Sequence, residues 1–357
     1  MRLAWGSVVR MIDERAGLQR LEVMVDGEAE ASAAIAYPSL SGRCEAGDRV
    51  QLNTTAVDLG LGTGGAHFVI ARAEEAALSD DPSGGHIMKL RYTPLQRDVL
   101  AVEESASPHA AIMERARSLH RMPVVCCGLH SQLLPVVAAV KEADPSLRVA
   151  YVMTDQASLP LAFSDLVASM TERGLLDATI TAGQSFGGSL ETVTLHSALL
   201  AARHVVHADV TVVALGPGIT GTATPFGHGG VAQGEAINAA SVLGGRAIAV
   251  LRLSFVERRP RHYGVSHHTL AALGTVALAS AAVVVPVLDA AERALVDDAL
   301  EAAGAWSRHT RIDAAEAALP DTRGIAMRSM GRTPADDPAF FHAAAAAGTL
   351  AARMARG

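Results

Sequence analysis

From Pro123 onward, the chain alternates short apolar, β-branched runs with longer stretches of helical periodicity. The runs are Val124–Cys127, Arg148–Met153, Ala178–Thr181, Val210–Leu215, Ala247–Leu253 and Val283–Leu288. Helix-length patterns fill the gaps at Leu133–Ala143, Leu161–Arg173, Leu190–His207, Val231–Leu243 and Thr269–Ala279. A strand that is apolar at every position is buried on both faces, and parallel pairing requires connections of this length. The pattern predicts an α/β fold, a mostly parallel sheet covered by helices on both faces. Cys126 and Cys127, adjacent within one run, are expected to point to opposite faces. After Asp289 the spacing predicts a charged helix over Ala290–Ala303, a strand near Trp306–Ile312, a short helix, and an alanine-rich helix. Asp336 or Asp337 would cap that last helix, with Pro338 in its first turn.

The first hundred residues follow a shorter rhythm. Strand-like runs at Gly6–Ile12, Leu21–Val25, Arg49–Asn53 and His67–Ala71 are separated by turn residues at Ala16-Gly17, Asp26-Gly27, Gly47-Asp48 and Gly62–Gly65. Asp26-Gly27 between apolar runs is a hairpin signal. Further strands are expected at Ile87–Tyr92 and Val99–Glu103, with Glu74–Gly85 as the loop between them or a partial linker. The reading is a smaller β-barrel-like domain over 1–105 and an α/β three-layer domain over 106–357.

Composition changes this picture little. Half of the 357 residues are hydrophobic but only 4% are aromatic, so Ala, Val and Leu must fill the core. The net charge of −7, without any basic run, argues against nucleic acid as a partner. Lysine occurs only at Lys89 and Lys141, and Lys89 is expected on a solvated strand face. Cys44, Cys126 and Cys127 offer neither a disulfide framework nor a C-x-x-C spacing, which points to a reducing, cytoplasmic setting. Asp13 and Glu14 precede any long apolar stretch, so no signal peptide is expected. Thr269–Leu288 is uncharged for 20 residues, but Gly274, Thr275, Ser280 and Pro286 favour a buried helix running into a buried strand over a membrane span.

In open parallel sheets ligands bind beyond the carboxyl ends of the strands, so the residues just past each run sample the site. They are small, polar and glycine-rich: Gly128–Ser131, Thr154–Gln156, Gly183–Gly188, Gly216–Thr222 and Ser254. Gly216-Pro-Gly218-Ile-Thr220-Gly221 matches G-x-G-x-x-G. However, Pro217 stiffens the turn and no acidic residue ends the next strand, so a dinucleotide fingerprint is a poor fit. Backbone N–H groups and the hydroxyls of Thr220, Thr222 and Thr224 could instead cradle an anion. Gly183-Gln-Ser185-Phe-Gly187 matches the nucleophile elbow G-x-S-x-G, with a strand before and a helix after. Its acid and histidine partners are unconvincing, since Asp209 precedes its strand and Asp289 follows His228, His262, His267 and His268, leaving His309 or His342.

Fourteen histidines are present, and His262, His267 and His268 gather before one helix, with Ser266 as its N-cap. A histidine in a first helical turn is held neutral. His130 and His228 lie at other strand ends, so a metal site is conceivable, although adjacent His267 and His268 diverge by about 100° on a helix and should not share an ion. Asp155 is the favoured carboxylate, with a helix N-cap as its alternative role.

Three functions remain open. The first is binding of a small anionic ligand, a phosphorylated one included, with Gly216, Gly218, Thr220, Gly221, Thr222, His228 and His262 as contacts and His130, Asp155, His267 or His268 as acid–base groups. The second is a serine hydrolase using Ser185. The third is a non-catalytic metabolite sensor or adapter. No membrane partner is expected, a homo-oligomer is allowed, and cofactor and metal stay undefined.

The segments Leu52–Gly65, Gly85–Gln96, Gly128–Ser131, Gly216–Gly221 and Gly264–Leu270 together resemble an uncharacterised bacterial family, domain of unknown function 3866. The resemblance covers nearly the whole chain. It implies a cytoplasmic bacterial protein and carries no reaction, substrate or catalytic residue.

Overall fold

The computed structural model describes residues 1–61, 65–74 and 84–357. Most of the expected Glu74–Gly85 loop and the turn at 62–64 lie outside these residues. The chain forms two compact units, Met1–Val99 and Leu100–Gly357.

In the first unit, β1 (Leu3–Arg15), β2 (Leu18–Val25), β3 (Ser32–Ala36), β4 (Arg49–Asn53) and β5 (His67–Arg72) close into a barrel of order β1-β2-β3-β5-β4. Leu21, Val23, Val25, Val50, Leu52 and Val69 alternate inward to fill it. The tight hairpin is at Ala16-Gly17, where Gly17 takes φ +79°. Asp26-Gly27 instead opens the longer connection to β3, and the Asp26 carboxylate accepts two hydrogen bonds of 2.7 Å from Arg49. The strand β3, built of Ser, Ala and one Ile, carries little β propensity, so no apolar run announces it. Short strands β6 (Ile87–Lys89) and β7 (Arg97–Val99) pair antiparallel. Lys89 is fully buried, where a solvated face was expected.

The second unit holds β8 (Pro123–Cys126), β9 (Val149–Thr154), β10 (Ala178–Thr181), β11 (Leu190–Glu191), β12 (Val210–Leu215), β13 (Arg246–Ala249), β14 (Leu253–Ser254), β15 (Gly264–Val265), β16 (Ala282–Val285) and β17 (Thr310–Asp313). Eight of these form one parallel sheet of order β11-β10-β9-β12-β8-β13-β16-β17. Strand residues alternate between two cores. Val124, Cys126, Val152 and Val213 face one, with helices Leu195–His204, Ala232–Val242 and Ala290–Ala302; Val125, Cys127, Tyr151 and Val212 face the other, with helices Leu133–Ala143, Asp165–Glu172 and Pro338–Ala355. Cys126 and Cys127 do point to opposite faces.

The chain enters at β8, winds outward to β11, returns to β12 beside β8, and then winds the other way through β13 to β17. The helices that follow β8 and β12 therefore cover opposite faces, and a crevice opens between the ends of these neighbouring strands.

Several segments differ from expectation. The stretch after β10 is not a single helix from Leu190: strand β11 intervenes and the helix starts at Leu195, capped by Thr194. Residues 269–279 are not one helix either, since His267–Ala271 gives way to a π turn at Ala272–Val276. No short helix lies between β17 and Pro338. Among the described residues, no helix is long and apolar enough to cross a membrane.

Candidate functional site

A cavity of about 420 Å³ opens at the crevice. Leu129–Ser131 beyond β8 and Leu215–Ile219 beyond β12 form two of its walls. The third comes from the segment after β13. There the two-residue antiparallel pair β14–β15 folds the intervening loop back, bringing Arg252, Arg259, Arg261, His262 and His268 to the same space. Two buried glutamines tie the strand ends beneath it: Gln132 accepts from the Gly128 and Leu129 N–H groups, while Gln233 donates to the Cys126 and Val250 carbonyls. These bonds satisfy the Gly128 and Leu129 N–H groups and the Val250 carbonyl, and give a second donor to the Cys126 carbonyl, which already accepts from Val250 N–H.

Among the described residues, three arginines line the cavity and no carboxylate does. Arg259 is paired with Glu257 at 2.8 Å, and Glu257 also pairs with Arg332. Those guanidinium groups hold the Glu257 carboxyl far below its usual range. Arg252 is different. It is only 6% exposed and, among the described residues, forms no ion pair. Its guanidinium donates to His268 Nδ1 at 3.0 Å and meets the Met330 sulfur at 3.5 Å. Burial, followed by the charge of Arg259, lowers its pKa to about 10.

His262, His267, His268 and His228 form one cluster. His228 stacks on His268 with centroids 3.8 Å apart and planes 15° from parallel, and His267 lies edge-on to His268 at 4.4 Å. Gly230 permits this approach, because a Cβ there would sit 2.9 Å from His268 Cβ and 3.0 Å from His228 Nδ1. Burial and then Arg252 depress His262 to about 3, and burial with neighbouring His228 depresses His268 to about 2. All four rings are therefore neutral near pH 7, His228 and His267 also being lowered, chiefly by burial. Ser266 caps the helix as expected, accepting from His268 N–H, and its hydroxyl lies 2.7 Å from His262 Nδ1. The expected divergence of His267 and His268 is not what the fold does. Their side chains turn back, His267 toward the Arg261 carbonyl and His268 toward Arg252, so His228, His267 and His268 each bring a nitrogen within 4.8 Å of the others.

The remaining sequence candidates take other places. His130 lines the cavity, but both ring nitrogens are engaged: Nδ1 with the Leu215 carbonyl at 3.1 Å and Nε2 with the Ser164 hydroxyl at 2.7 Å. Burial lowers its pKa to about 4. Asp155 stays outside the cavity lining; its carboxylate accepts from Gln184 N–H at 2.9 Å, and the helix N-cap is Ser164. Ser185 is fully buried, its hydroxyl donating to the Thr154 carbonyl at 2.9 Å, and a strand follows it where an elbow needs a helix. Asp289 caps the helix at Ala290, and His309 is held by Ala281 N–H and the Leu273 carbonyl, so neither joins a triad with Ser185.

The Gly216–Thr222 loop also departs from the expected cradle. Gly216, Gly218, Gly221 and Thr222 line the cavity, whereas Thr220 does not. The Thr222 and Thr224 hydroxyls bond to each other at 2.8 Å and to their own loop, which leaves them no free donor for an anion. The arginines take over that role. From the sequence Arg252 is weighed only as a contact for a dinucleotide 2′-phosphate and set aside, although it is the one charge inside the apolar run Ala247–Leu253.

The family described as "Protein of unknown function (DUF3866)" matches residues 33–348. The chain belongs to this family. That span takes in barrel strands β4 and β5, all but the first residue of β3, and the whole cavity of this DUF3866 member, so the crevice lies within the matched region. Comparison with curated proteins and with solved structures finds no match.

Proposed function

We propose that this protein binds a small anionic metabolite at the crevice between β8 and β12, with a phosphate or carboxylate group seated against Arg252. The observation that carries this reading is a buried guanidinium with no carboxylate partner among the described residues, facing a cavity lined by two further arginines. A buried, unpaired charge costs several kcal/mol, on the order of what a well-placed counter-charge returns. An oxyanion is the ligand that supplies it, and the fork of an arginine fits two of its oxygens. The neutral rings of His262 and His268 then offer N–H donors or lone pairs to the rest of the ligand. Their position beside the anion suits proton transfer, although binding alone accounts for what is observed. The three free, buried cysteines fit a cytoplasmic setting.

Isothermal titration with inorganic phosphate, sulfate, sugar phosphates and nucleotides, on the full chain and on Arg252→Met, tests the reading. Saturable binding of at least one phosphorylated compound is expected, lost in the variant. No heat and no thermal shift with any of them would overturn it.

A further inference from the structure

The histidine cluster contains two buried ring nitrogens without a well-formed hydrogen bond among the described residues. His228 donates its Nε2 proton to the Pro225 carbonyl at 2.9 Å, which leaves Nδ1 as an acceptor, and Nδ1 is closed off from solvent without a partner. His267 donates its Nδ1 proton to the Arg261 carbonyl at 3.2 Å, and its buried Nε2 makes no well-formed hydrogen bond among the described residues, although the Thr222 carbonyl stands beside the ring. An unsatisfied buried acceptor costs about 1–3 kcal/mol, so His228 Nδ1, with His267 Nε2 close by and poorly satisfied, calls for a ligand.

Three features point to the kind of ligand. A histidine that holds a metal donates its other ring proton to a carbonyl or carboxylate, which fixes the tautomer and aims the lone pair, and both rings are arranged in this way. The two rings stand edge to face, 83° apart with centroids at 5.1 Å, so their in-plane lone pairs can converge. The cluster offers nitrogens and no carboxylate, which selects zinc, copper or nickel over magnesium or calcium. His268 is excluded as a third ligand. Its ring is stacked parallel on His228, so the two in-plane lone pairs cannot meet at a point, and its Nδ1 already accepts from Arg252.

We infer that His228 Nδ1 and His267 Nε2 form a two-imidazole site for one divalent transition-metal ion, with water or an exogenous anion completing its coordination. Nitrogen–metal bonds of about 2.0–2.1 Å need the two nitrogens about 3–4 Å apart. The cluster, with one nitrogen from each ring inside 4.8 Å, reaches that with a small ring rotation. Arg252, one ring away, repels the ion and weakens the site.

The proposal goes beyond anion binding and can be tested apart from it. Metal-free full-length protein is titrated with Zn²⁺ by calorimetry and with Co²⁺ by visible absorption at neutral pH. One ion per chain and a nitrogen-ligated Co²⁺ spectrum are expected. His228→Ala and His267→Gln should each weaken Zn²⁺ binding about tenfold or more. His267→Gln alters a half-buried position and keeps the fold testable by circular dichroism. Arg252→Met should tighten Zn²⁺ binding severalfold while abolishing phosphate binding, so the two readings fail separately. Absence of Zn²⁺ binding at millimolar concentration, or binding that survives both histidine substitutions, would overturn the metal site.

Discussion

Replacing Arg252 by Met separates a ligand-holding charge from a structural one. An arginine buried within an ion pair is structural, and breaking such a pair costs about 3–5 kcal/mol. Arg252 is 6% exposed with no ion pair among the described residues, and its pKa falls from 12.5 to about 10. The sign follows from that direction: the folded state holds the charged form less well than the unfolded chain does. The penalty is therefore present at every pH below about 10 and fades as pH rises from there toward 12.5. At about 1.4 kcal/mol per pH unit it amounts to about 3 kcal/mol. Methionine relieves it, but strips His268 Nδ1 of its donor, which returns about 1–3 kcal/mol. The variant is expected to lie between unchanged and about 2 kcal/mol more stable without ligand, evenly across pH 5 to 9. Trp306 in the α/β unit reports urea unfolding once Trp5 of the barrel is replaced by Phe. Phosphate at about a hundred times its dissociation constant should add about 2.7 kcal/mol to the parent and nothing to the variant. A loss of about 3–5 kcal/mol in Arg252→Met would refute the reasoning, because it would mean that the charge is already compensated in the empty protein.

Three further outcomes are expected. Ser185→Ala should cost about 1 kcal/mol for its lost bond to the Thr154 carbonyl and leave phosphate binding unchanged, and Ser185 should not react with a fluorophosphonate; labelling would restore the hydrolase reading. His130, at about 4, and His309, also lowered, are both held neutral chiefly by burial. Their contribution is complete above about pH 6.5 and is lost as pH falls, at up to about 1.4 kcal/mol per pH unit each, so stability measured between pH 7 and 4.5 should fall steeply; a flat profile would contradict their neutrality. Gly348→Ala should destabilise the α/β unit by about 1–3 kcal/mol in urea unfolding, because the added Cβ would clash with the Val136 carbonyl where helix Pro338–Ala355 crosses helix Leu133–Ala143; no change would mean that the helices part easily.

The sheet was legible because burial on both faces writes itself along the chain. Val124–Cys127 and Val210–Leu215 need no partner in view to be recognised as interior strands, and the rim beyond them follows from parallel pairing. Edges and short elements were harder. Leu190–Glu191 and Ser32–Ala36 are held by neighbours more than by their own residue types, so local pattern could not distinguish them from helix or loop.

The site divides in the same way. Periodicity alone determined that the loops after β8 and β12 would share a rim and that Ser266 would start a helix. Tertiary structure decided which side chains meet there. The antiparallel pair Leu253–Ser254 with Gly264–Val265 folds Arg259 and His262 back over the crevice, and Gly230 lets His228 lie flat on His268. Spacing put His267 and His268 on diverging vectors and favoured Asp155, but side-chain rotation brought the histidines together, and the Gln184 amide took the carboxylate. Strand pattern is a property of neighbours in sequence. Electrostatic company is a property of neighbours in space, and the chain does not record it until it folds.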